Sequence, residues 1–437
     1  MTSCPATYPA ASRANATLAV IMIVAFTAML DRYLIGLLLE PIRHDMALSD
    51  TEISLLQGAA FAILFAVSGI PFGRLVDRWN RRNILLAGLV LWSALTIACG
   101  LAPGYPELFA ARLGVGLGEA CLAPAAASLL IDTFRPERHG RALALYTTAA
   151  VLGGGGSFIL GAQALRLANH LHAEGIVDFL EPWRLTFLIV GFPGLLAGLG
   201  LLFVREPARK GVGAATPASL GDLFRFLRRN MRVLGLMVAA NCFCAVTGTG
   251  VTAWMAAFFE RTWRIPPTTS GLWIGLCLIG SVLIGGPLSG MVADRSRLAR
   301  ATGGKLNVVA LGCFLTVPFA ALFPEARSLP LAIVLYVLFG TAFNFMTCTF
   351  PAALQDLLPG NLRGQVFAIH MMIVALVGYA GGATAIALVT EHVFGDPLLL
   401  RHSLALVGCV TMALGGILLL MARSSYQAAL AGAYDPS

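Results

Sequence analysis

Long apolar stretches alternate with short polar connections along most of the chain. A stretch of about 20 predominantly apolar residues, folded as an α-helix, is long enough to cross a hydrocarbon core of roughly 30 Å. The pattern therefore predicts an all-α polytopic membrane protein. We expect about twelve membrane-spanning helices, beginning near Leu18, Ile53, Ile84, Leu108, Ala142, Leu185, Val233, Gly271, Leu306, Leu331, Val366 and Leu404.

The composition agrees with this pattern. Of the 437 residues, 58% are hydrophobic and only 12% are charged, whereas about a quarter of the residues in a soluble domain are charged. Most of the nine cysteines lie inside apolar stretches, so neither a disulfide framework nor a metal site is expected. The chain also lacks the short motifs of hydrolases, phosphate-binding loops and zinc proteases. We therefore expect no enzymatic activity and no cofactor.

Positive charges are distributed unevenly among the connections. If the N-terminus is cytoplasmic, 21 of the 30 lysines and arginines lie on the cytoplasmic side and 7 lie on the other side. Connections rich in Lys and Arg tend to stay in the cytoplasm, so both termini are predicted to be cytoplasmic. The net charge of +8 then reflects topology and attraction to lipid head groups. No nucleic-acid partner is expected.

The sequence repeats itself at about half its length. The segment GRLVDR at 73–78 recurs as GMVADR at 290–295, and Asp132 and Gly140 correspond to Asp356 and Gly364. Two six-helix halves in parallel orientation fit this pattern. We therefore place the N-terminal half at 1–204, a cytoplasmic linker at 205–230, the C-terminal half at 231–422 and a cytoplasmic tail at 423–437.

The linker is predicted to contain a short amphipathic helix. Ser219 and Asp222 form a helix-start signal. Leu220, Leu223, Phe224 and Leu227 then follow at helical spacing, with arginines on the opposite side. This helix is expected to lie on the inner leaflet.

The segment between the second and third spans, GRLVDRWNRR at 73–82, resembles the signature loop of the major facilitator superfamily. The resemblance covers the whole chain and implies the fold of that superfamily, with one cavity between the halves that opens alternately to each side. It also implies a cytoplasmic gate in which aspartates and arginines bind across the halves and to helix ends. The alternative is that these charges only determine topology. The predicted gate residues are Gly73, Asp77, Arg78, Arg81, Arg82, Gly290, Asp294 and Arg295.

A narrower resemblance is to the Spinster family. It is carried by MLDRYLIGLLLEPI (29–42), DRWNRR (77–82), ARLGVGLGEACLAPAAASLLIDTF (111–134) and WRLTFLIVGFPG with REP (183–207). This family includes exporters of lysophospholipids and sphingosine phosphate. The resemblance implies that the protein exports an amphiphile and places four charged residues of the family at Asp31, Arg32, Arg112 and Glu119.

These four residues also stand out on physical grounds. An ionisable group near the centre of a spanning helix costs on the order of 3 kcal/mol, so it normally faces a cavity, a partner or a pathway. Arg112 and Glu119 are two helical turns apart and share one face. Asp31 and Arg32 point about 100° apart.

We interpret Asp31 as the proton carrier and Arg112 as the charge that responds to its protonation. Arg32, Arg112 and Glu119 are then expected to contact a polar head group. The alternative is that the four residues form static pairs that hold the N-terminal half together.

The C-terminal half has polar and aromatic residues where the N-terminal half has buried charges. Asn241 and Trp254 lie in the seventh span, and Phe343 and Asn344 lie in the tenth. A cavity that is charged on one wall and mostly apolar on the other suits an amphiphile, so these four are expected to bind substrate. Helix packing is the alternative.

Three classes of function remain open. The first is a proton-coupled exporter of a lysophospholipid or a sphingoid phosphate in a bacterial inner membrane. The second is a carrier of another small organic anion or a drug. The third is a non-transporting receptor or scaffold. We expect protons, one small amphiphile and membrane lipids as partners, no bound metal and a monomeric state.

Overall fold

The computed structural model describes residues 8–209, 220–297, 301–360 and 362–433. These residues contain twelve helices that are long and apolar enough to cross a membrane, which confirms the predicted number. Each predicted starting residue lies in a different span. The twelve spans are Ala11–Leu37, Asp50–Arg78, Arg81–Leu101, Tyr105–Thr133, Pro136–Ala173, Pro182–Phe203, Met231–Trp263, Pro267–Arg295, Lys305–Leu322, Leu329–Asp356, Arg363–Phe394 and Pro397–Ala431.

Several spans consist of more than one helical segment. The eleventh span ends in a π-helical turn, Val389–Phe394, and a 3-10 turn, Pro397–Leu399, opens the twelfth. The α-helices are α1 (Ala11–Leu37), α2 (Leu39–Asp45), α3 (Asp50–Gln57), α4 (Ala59–Arg78), α5 (Arg81–Leu101), α6 (Tyr105–Glu119), α7 (Leu122–Thr133), α8 (Pro136–Ala173), α9 (Pro182–Phe203), α10 (Leu220–Arg229), α11 (Met231–Trp263), α12 (Pro267–Arg295), α13 (Lys305–Leu322), α14 (Leu329–Asp356), α15 (Arg363–Leu388) and α16 (Leu400–Ala433).

The break in the fourth span determines where one of the candidate site residues lies. Helix α6 ends at Glu119 and α7 begins at Leu122. Pro124 explains the break, because it has no amide hydrogen and its ring collides with the carbonyl group four residues earlier, that of Ala120. Glu119 therefore occupies the last position of a helix inside the membrane.

The described residues form two compact units. Unit 1 lies within Met1–Ala47 and Ala60–Ala214, and unit 2 lies within Leu48–Ala59 and Ala215–Ser437. In unit 1 the first span packs on the fifth and sixth, and the third packs on the fourth and sixth. In unit 2 the seventh span packs on the eleventh and twelfth, and the ninth packs on the tenth and twelfth. The same pairs of spans thus meet in each unit, as the sequence repeat predicts.

An ion pair repeats along with these helix contacts. In unit 1, Arg81 at the start of the third span pairs with Asp132 at the end of the fourth. In unit 2, Lys305 at the start of the ninth span pairs with Asp356 at the end of the tenth, at 2.9 Å. Both partners are shifted by the same number of positions between the halves, so the repeat includes side-chain contacts.

Helices approach closely within unit 1 where the sequence has GGGG at 153–156. A Cβ atom at Gly153 would lie 2.9 Å from Cβ of Met29 and 3.0 Å from Cα of Phe26. Only glycine permits this distance between the fifth and first spans. The run therefore holds the first span, which carries Asp31 and Arg32, against its neighbour.

Helix α3 is attached firmly to unit 2, although the rest of the second span belongs to unit 1. Both carboxylate oxygens of Asp50 accept hydrogen bonds from Arg261, each at 2.6 Å. The main-chain N–H of Thr51 donates to Glu391 at 3.0 Å. A Cβ atom at Gly58 would collide with the carbonyl oxygen of Tyr379, so glycine is required where α3 ends.

The linker helix α10 is present, and its apolar side chains pack on protein. Leu223, Phe226 and Leu227 contact the apolar core of unit 2, whereas Phe224 is 69% exposed. The predicted apolar face also included Phe224, which takes no part in this contact, and contact of the helix with the inner leaflet stays a prediction. Ser219, the predicted start signal, lies outside the described residues.

Candidate functional site

Unit 1 buries a cluster of four ionisable side chains among its helices. Asp31 and Arg32 come from the first span, and Arg112 and Glu119 come from the fourth. The side chains of Asp31, Arg112 and Glu119 are almost completely buried, and that of Arg32 is 11% exposed. The four residues that the sequence singles out in this half are therefore brought together.

Arg32 and Glu119 form an ion pair. The guanidinium group donates from Nε at 3.1 Å and from Nη2 at 2.5 Å to the same carboxylate oxygen. The Arg32 side chain also lies over the rings of Phe61 and Phe65, with its Cζ atom 4.6 and 4.9 Å from the two ring centres. A carboxylate and two aromatic faces therefore hold this charge.

Arg112 binds the main chain of the first span. Its Nη1 and Nη2 atoms donate to the carbonyl oxygens of Asp31 and Arg32 at 3.3 and 3.5 Å. Its Nε atom is buried and has no hydrogen-bond partner within the described part of the chain. Arg112 thus lies beside Asp31 without forming a direct hydrogen bond to its carboxylate.

The carboxylate of Asp31 is buried inside unit 1, near polar side chains of the third span. Neither of its oxygens has a hydrogen-bond partner among the described residues. The same is true of the Ser93 and Thr96 hydroxyl groups of the third span, and the indole of Trp92 faces the carboxylate without reaching hydrogen-bond geometry. Gly194 leaves this space open, because a Cβ atom there would collide with Ser93 Oγ and lie 3.9 Å from Asp31 Oδ2.

Sequence reasoning missed the polar residues of the third span, two of which, Trp92 and Ser93, lie near Asp31. Trp92, Ser93 and Thr96 interrupt an otherwise apolar span in the segment LWSALT. Thr96 follows Ser93 by three positions and Trp92 by four, so the three side chains lie on one side of a helix. That pattern was the available signal for a second polar element beside the charged spans.

Unit 2 contains a cavity of about 200 Å³ between the seventh, eighth and tenth spans. Tyr336, Phe339 and Phe343 line it as a stack, with neighbouring ring centres 6.1 Å apart and nearly parallel planes. Asn344 also lines the cavity and donates from its amide to the carbonyl group of Gly340 at 2.8 Å. Phe343 and Asn344, both predicted to bind substrate, therefore face an apolar space.

The other two residues predicted to bind substrate in this half hold helices together. Asn241 contacts Nε2 of His370 at 3.0 Å, which links the seventh and eleventh spans. Trp254 is fully buried and donates from its indole to the carbonyl group of Ala383 at 2.9 Å. Neither residue lines the cavity of unit 2.

Comparison with known proteins identifies the family to which the chain belongs. The sequence profile described as Major Facilitator Superfamily matches residues 21–383. The chain belongs to this superfamily. It is a membrane transporter, not an enzyme.

Relatives in the superfamily confirm the resemblance to Spinster proteins. The chain is 26% identical to human protein spinster homolog 1 over 87% of this chain and 74% of that protein. It is 31% identical to the zebrafish sphingosine-1-phosphate transporter SPNS2 over 41% of this chain and 34% of that protein. It is 32% identical to an MFS-type efflux pump of Mycolicibacterium smegmatis over 65% of this chain. That last match spans 63% of the pump, which is less than two thirds of its length.

A solved structure agrees with the fold. The bacterial homolog of the human lysosomal transporter Spinster, in its inward-facing and unoccupied conformation, matches 98% of this chain and 100% of its own chain. The TM-score is 0.78 at 22% sequence identity. The twelve-span fold of the major facilitator superfamily is therefore shared.

Two arginines of the superfamily's signature loop, Arg81 and Arg82, bind other parts of unit 1. Arg81 is buried and uses its whole guanidinium group: it pairs with Asp132, donates to Glu206 at 2.6 Å and donates to the carbonyl group of Pro207 at 2.9 Å. Arg82 donates to main-chain carbonyl groups at the end of the sixth span. All these partners lie in unit 1, so the two arginines join the third, fourth and sixth spans.

The remaining predicted gate residues are exposed or have open space beside them. Asp77, Arg78, Asp294 and Arg295 are exposed, and no ion pair joins any of them to another described residue. Gly73 and Gly290 have open space where a Cβ atom would lie. The role of these residues as a gate stays a prediction.

Proposed function

We propose that the protein is a proton-coupled transporter that works by alternating access and exports an amphiphile such as a lysophospholipid or a sphingoid phosphate. The observation that carries the proposal is the buried carboxylate of Asp31, which has no hydrogen-bond partner among the described residues. A buried charge inside a membrane span is costly and is normally retained for a function.

Asp31 is proposed to carry the proton. A carboxyl group in a low-dielectric pocket favours its neutral form, and a neighbouring arginine favours its charged form. A change in solvent access during the transport cycle therefore alters the charge of this group. Arg112, which binds the main chain at Asp31 and Arg32, is proposed to respond to that change by shifting towards or away from the carboxylate.

The substrate head group is proposed to interact with Arg32, Arg112 and Glu119. A phosphate binds arginine through charge-assisted hydrogen bonds, and a zwitterionic head group can use the carboxylate as well. The aromatic cavity of unit 2, lined by Phe343 and Asn344, is proposed to accept the acyl chain, at about 0.8 kcal/mol per buried CH₂. Asn241 and Trp254 are proposed to support this cavity through helix packing.

The names of relatives support an amphiphilic cargo and an outward direction. The zebrafish relative is a sphingosine-1-phosphate transporter, and the mycobacterial relative is an efflux pump. The second candidate, a carrier of some other organic anion or drug, is supported by that efflux pump. The two candidates differ in how affinity depends on the length of an alkyl chain.

We also propose the membrane orientation and a gate. The excess of Lys and Arg in alternate connections supports cytoplasmic termini, and similarity to a bacterial Spinster homolog supports a bacterial inner membrane. Asp77 and Arg78, with their counterparts Asp294 and Arg295, are proposed to close the cytoplasmic side by binding helix ends in another state of the cycle.

The experiment that tests the cargo is a chain-length series. Lysophosphatidylcholines with acyl chains of increasing length are added to purified protein, and thermal stabilisation and flux from proteoliposomes are measured. Affinity should rise with chain length up to a limit for the wild type. Glu119→Gln should lower the affinity for every lysophosphatidylcholine in the series by a similar factor, because the substitution alters contacts with the head group and not with the acyl chain. Equal affinity for short and long chains would favour the organic-anion carrier.

A further inference from the structure

Two clefts that have no part in the proposed transport mechanism occupy equivalent places in the two units. One, of about 550 Å³, lies between the ends of the first, fourth and sixth spans of unit 1. The other, of about 620 Å³, lies between the ends of the seventh, tenth and twelfth spans of unit 2. The repeat relates these spans to one another. It also relates one pair of lining residues, since Thr133 and Leu357 directly follow the repeated Asp132 and Asp356.

Each cleft has two arginines on its wall. Arg13 and Arg205 line the cleft of unit 1, and Arg229 and Arg232 line the cleft of unit 2. All four side chains are exposed. Within the described ranges, none of the four side chains forms an ion pair or a hydrogen bond, so their charges are available to an anion.

The acidic residue in each cleft is already engaged by a basic side chain. Glu206 accepts a hydrogen bond from Arg81 at 2.6 Å in unit 1. Asp356 pairs with Lys305 at 2.9 Å in unit 2. The basic partner is in each case the first residue of the third span of that half. The acidic residues are thus not paired with the lining arginines, and both clefts keep an excess of positive charge.

The rest of each lining is largely apolar. Val20, Phe203 and Val204 contribute to the cleft of unit 1, and Phe226 and Val233 contribute to that of unit 2. The clefts lie at the ends of spans, at the depth where lipid head groups meet the hydrocarbon core. Each cleft thus combines cationic groups with an apolar surface at the depth where a phospholipid has the complementary parts.

We propose that each cleft binds the phosphate group of one anionic phospholipid from the leaflet on that side, with the first methylenes of its chains on the apolar lining. Two guanidinium groups suit a phosphate because each can donate paired hydrogen bonds. Basic pockets between spanning helices bind such head groups in this way. The lipid is a resident ligand and not the cargo, so the proposal does not depend on the proposed function.

The test counts retained lipids by native mass spectrometry. The protein is reconstituted in nanodiscs that contain phosphatidylglycerol and phosphatidylcholine in equal amounts, and is then released into the gas phase. The wild type should retain two phosphatidylglycerol molecules in preference to phosphatidylcholine. Arg13→Gln with Arg205→Gln should retain one, and so should Arg229→Gln with Arg232→Gln. Lysine at the same positions should restore only part of the lost binding, because an ammonium group keeps the charge but cannot donate paired hydrogen bonds.

The matched control is Arg138→Gln with Arg141→Gln. These two arginines are exposed in unit 1 and do not line its cleft, so the variant should retain both lipids. Equal retention of the two phospholipids, or the same loss in the control, would overturn the proposal. Displacement of phosphatidylglycerol by inorganic phosphate at low concentration would identify a site for a soluble anion and would also overturn it.

Discussion

At the scale of single residues, the four buried charges of unit 1 differ in how well they are satisfied. Arg32 and Glu119 neutralise each other, and two aromatic rings cover the arginine. Among the described residues, Arg112 donates hydrogen bonds only to main-chain carbonyl groups, and the Asp31 carboxylate has no hydrogen-bond partner. Removing the charge of one member of a buried ion pair leaves the other charge uncompensated, which is costly, whereas protonation of Asp31 breaks no hydrogen bond to its carboxylate. We therefore propose Asp31, and not the Arg32–Glu119 pair, as the proton carrier of the cluster.

The first prediction concerns coupling through Asp31. Asp31→Asn should remove the dependence of flux on a proton gradient, because an amide has no proton to exchange, while binding of substrate should remain within a few fold. Substrate accumulation in proteoliposomes with an imposed pH gradient measures this effect. Glu40→Gln is the control, since Glu40 is a buried carboxylate of the same unit that pairs with Arg43 at 3.0 Å. Proton-driven accumulation by Asp31→Asn would exclude this residue as the carrier.

How much of the site the sequence predicts depends on the residue type. Charges in an apolar span are conspicuous, so Asp31, Arg32, Arg112 and Glu119 could be found from the sequence alone. Trp92 and Ser93 are ordinary residues in a span, and only the fold places them near Asp31. The sequence offers Asn241 and Phe343 equally as candidate substrate contacts. Only the fold shows that Asn241 contacts a neighbouring helix, whereas Phe343 lines a cavity.

At the scale of helices, the sequence predicts the spans well because each requires a long apolar stretch. It predicts their breaks and partners poorly. The break after Glu119 depends on Pro124, and the face by which α10 packs depends on unit 2. The partners of Arg81 come from the ends of two distant spans, so a pattern local to the loop could not identify them.

The second prediction compares the repeated ion pairs at the ends of these helices. Asp132→Asn leaves Arg81 buried with one partner fewer, and should lower the free energy of unfolding by about 3 kcal/mol. The equivalent Asp356→Asn should cost under about 1 kcal/mol, because Lys305 and Asp356 are 34% and 39% exposed, compared with 1% and 10% for Arg81 and Asp132.

Thermal unfolding of both variants in one detergent measures the difference. The melting temperature should fall by roughly 6–12 °C for Asp132→Asn and by a few degrees at most for Asp356→Asn. The second variant is the matched control, since it removes the same charge at the repeated position. Equal shifts would show that burial does not distinguish the two pairs.

At the scale of the whole molecule, the second span joins the two units. Its first helix, α3, is held on unit 2 by Asp50, Thr51 and Ser54, whereas α4 belongs to unit 1. Alternating access in a rocker-switch transporter requires the halves to move relative to each other. If the protein works in this way, either α3 detaches from the rest of unit 2 in each cycle or the second span bends where α3 meets α4. We propose detachment, which needs attachments strong enough to hold one state and weak enough to break.

The last prediction tests that proposal. The hydroxyl groups of Ser54 and Thr384 are 3.3 Å apart, so cysteines at both positions should be bridged by a short bifunctional thiol reagent. Bridging should reduce flux at least tenfold, because α3 can no longer detach, and reduction of the bridge should restore it. The single variants and the wild type, treated identically, are the controls for modification of native cysteines such as the exposed Cys348. Thermal stability of the bridged protein should be unchanged or higher, which separates a locked protein from a damaged one. Full flux in the bridged protein would show that α3 stays on unit 2 throughout the cycle, and movement of the second span would then have to occur entirely beyond Gly58.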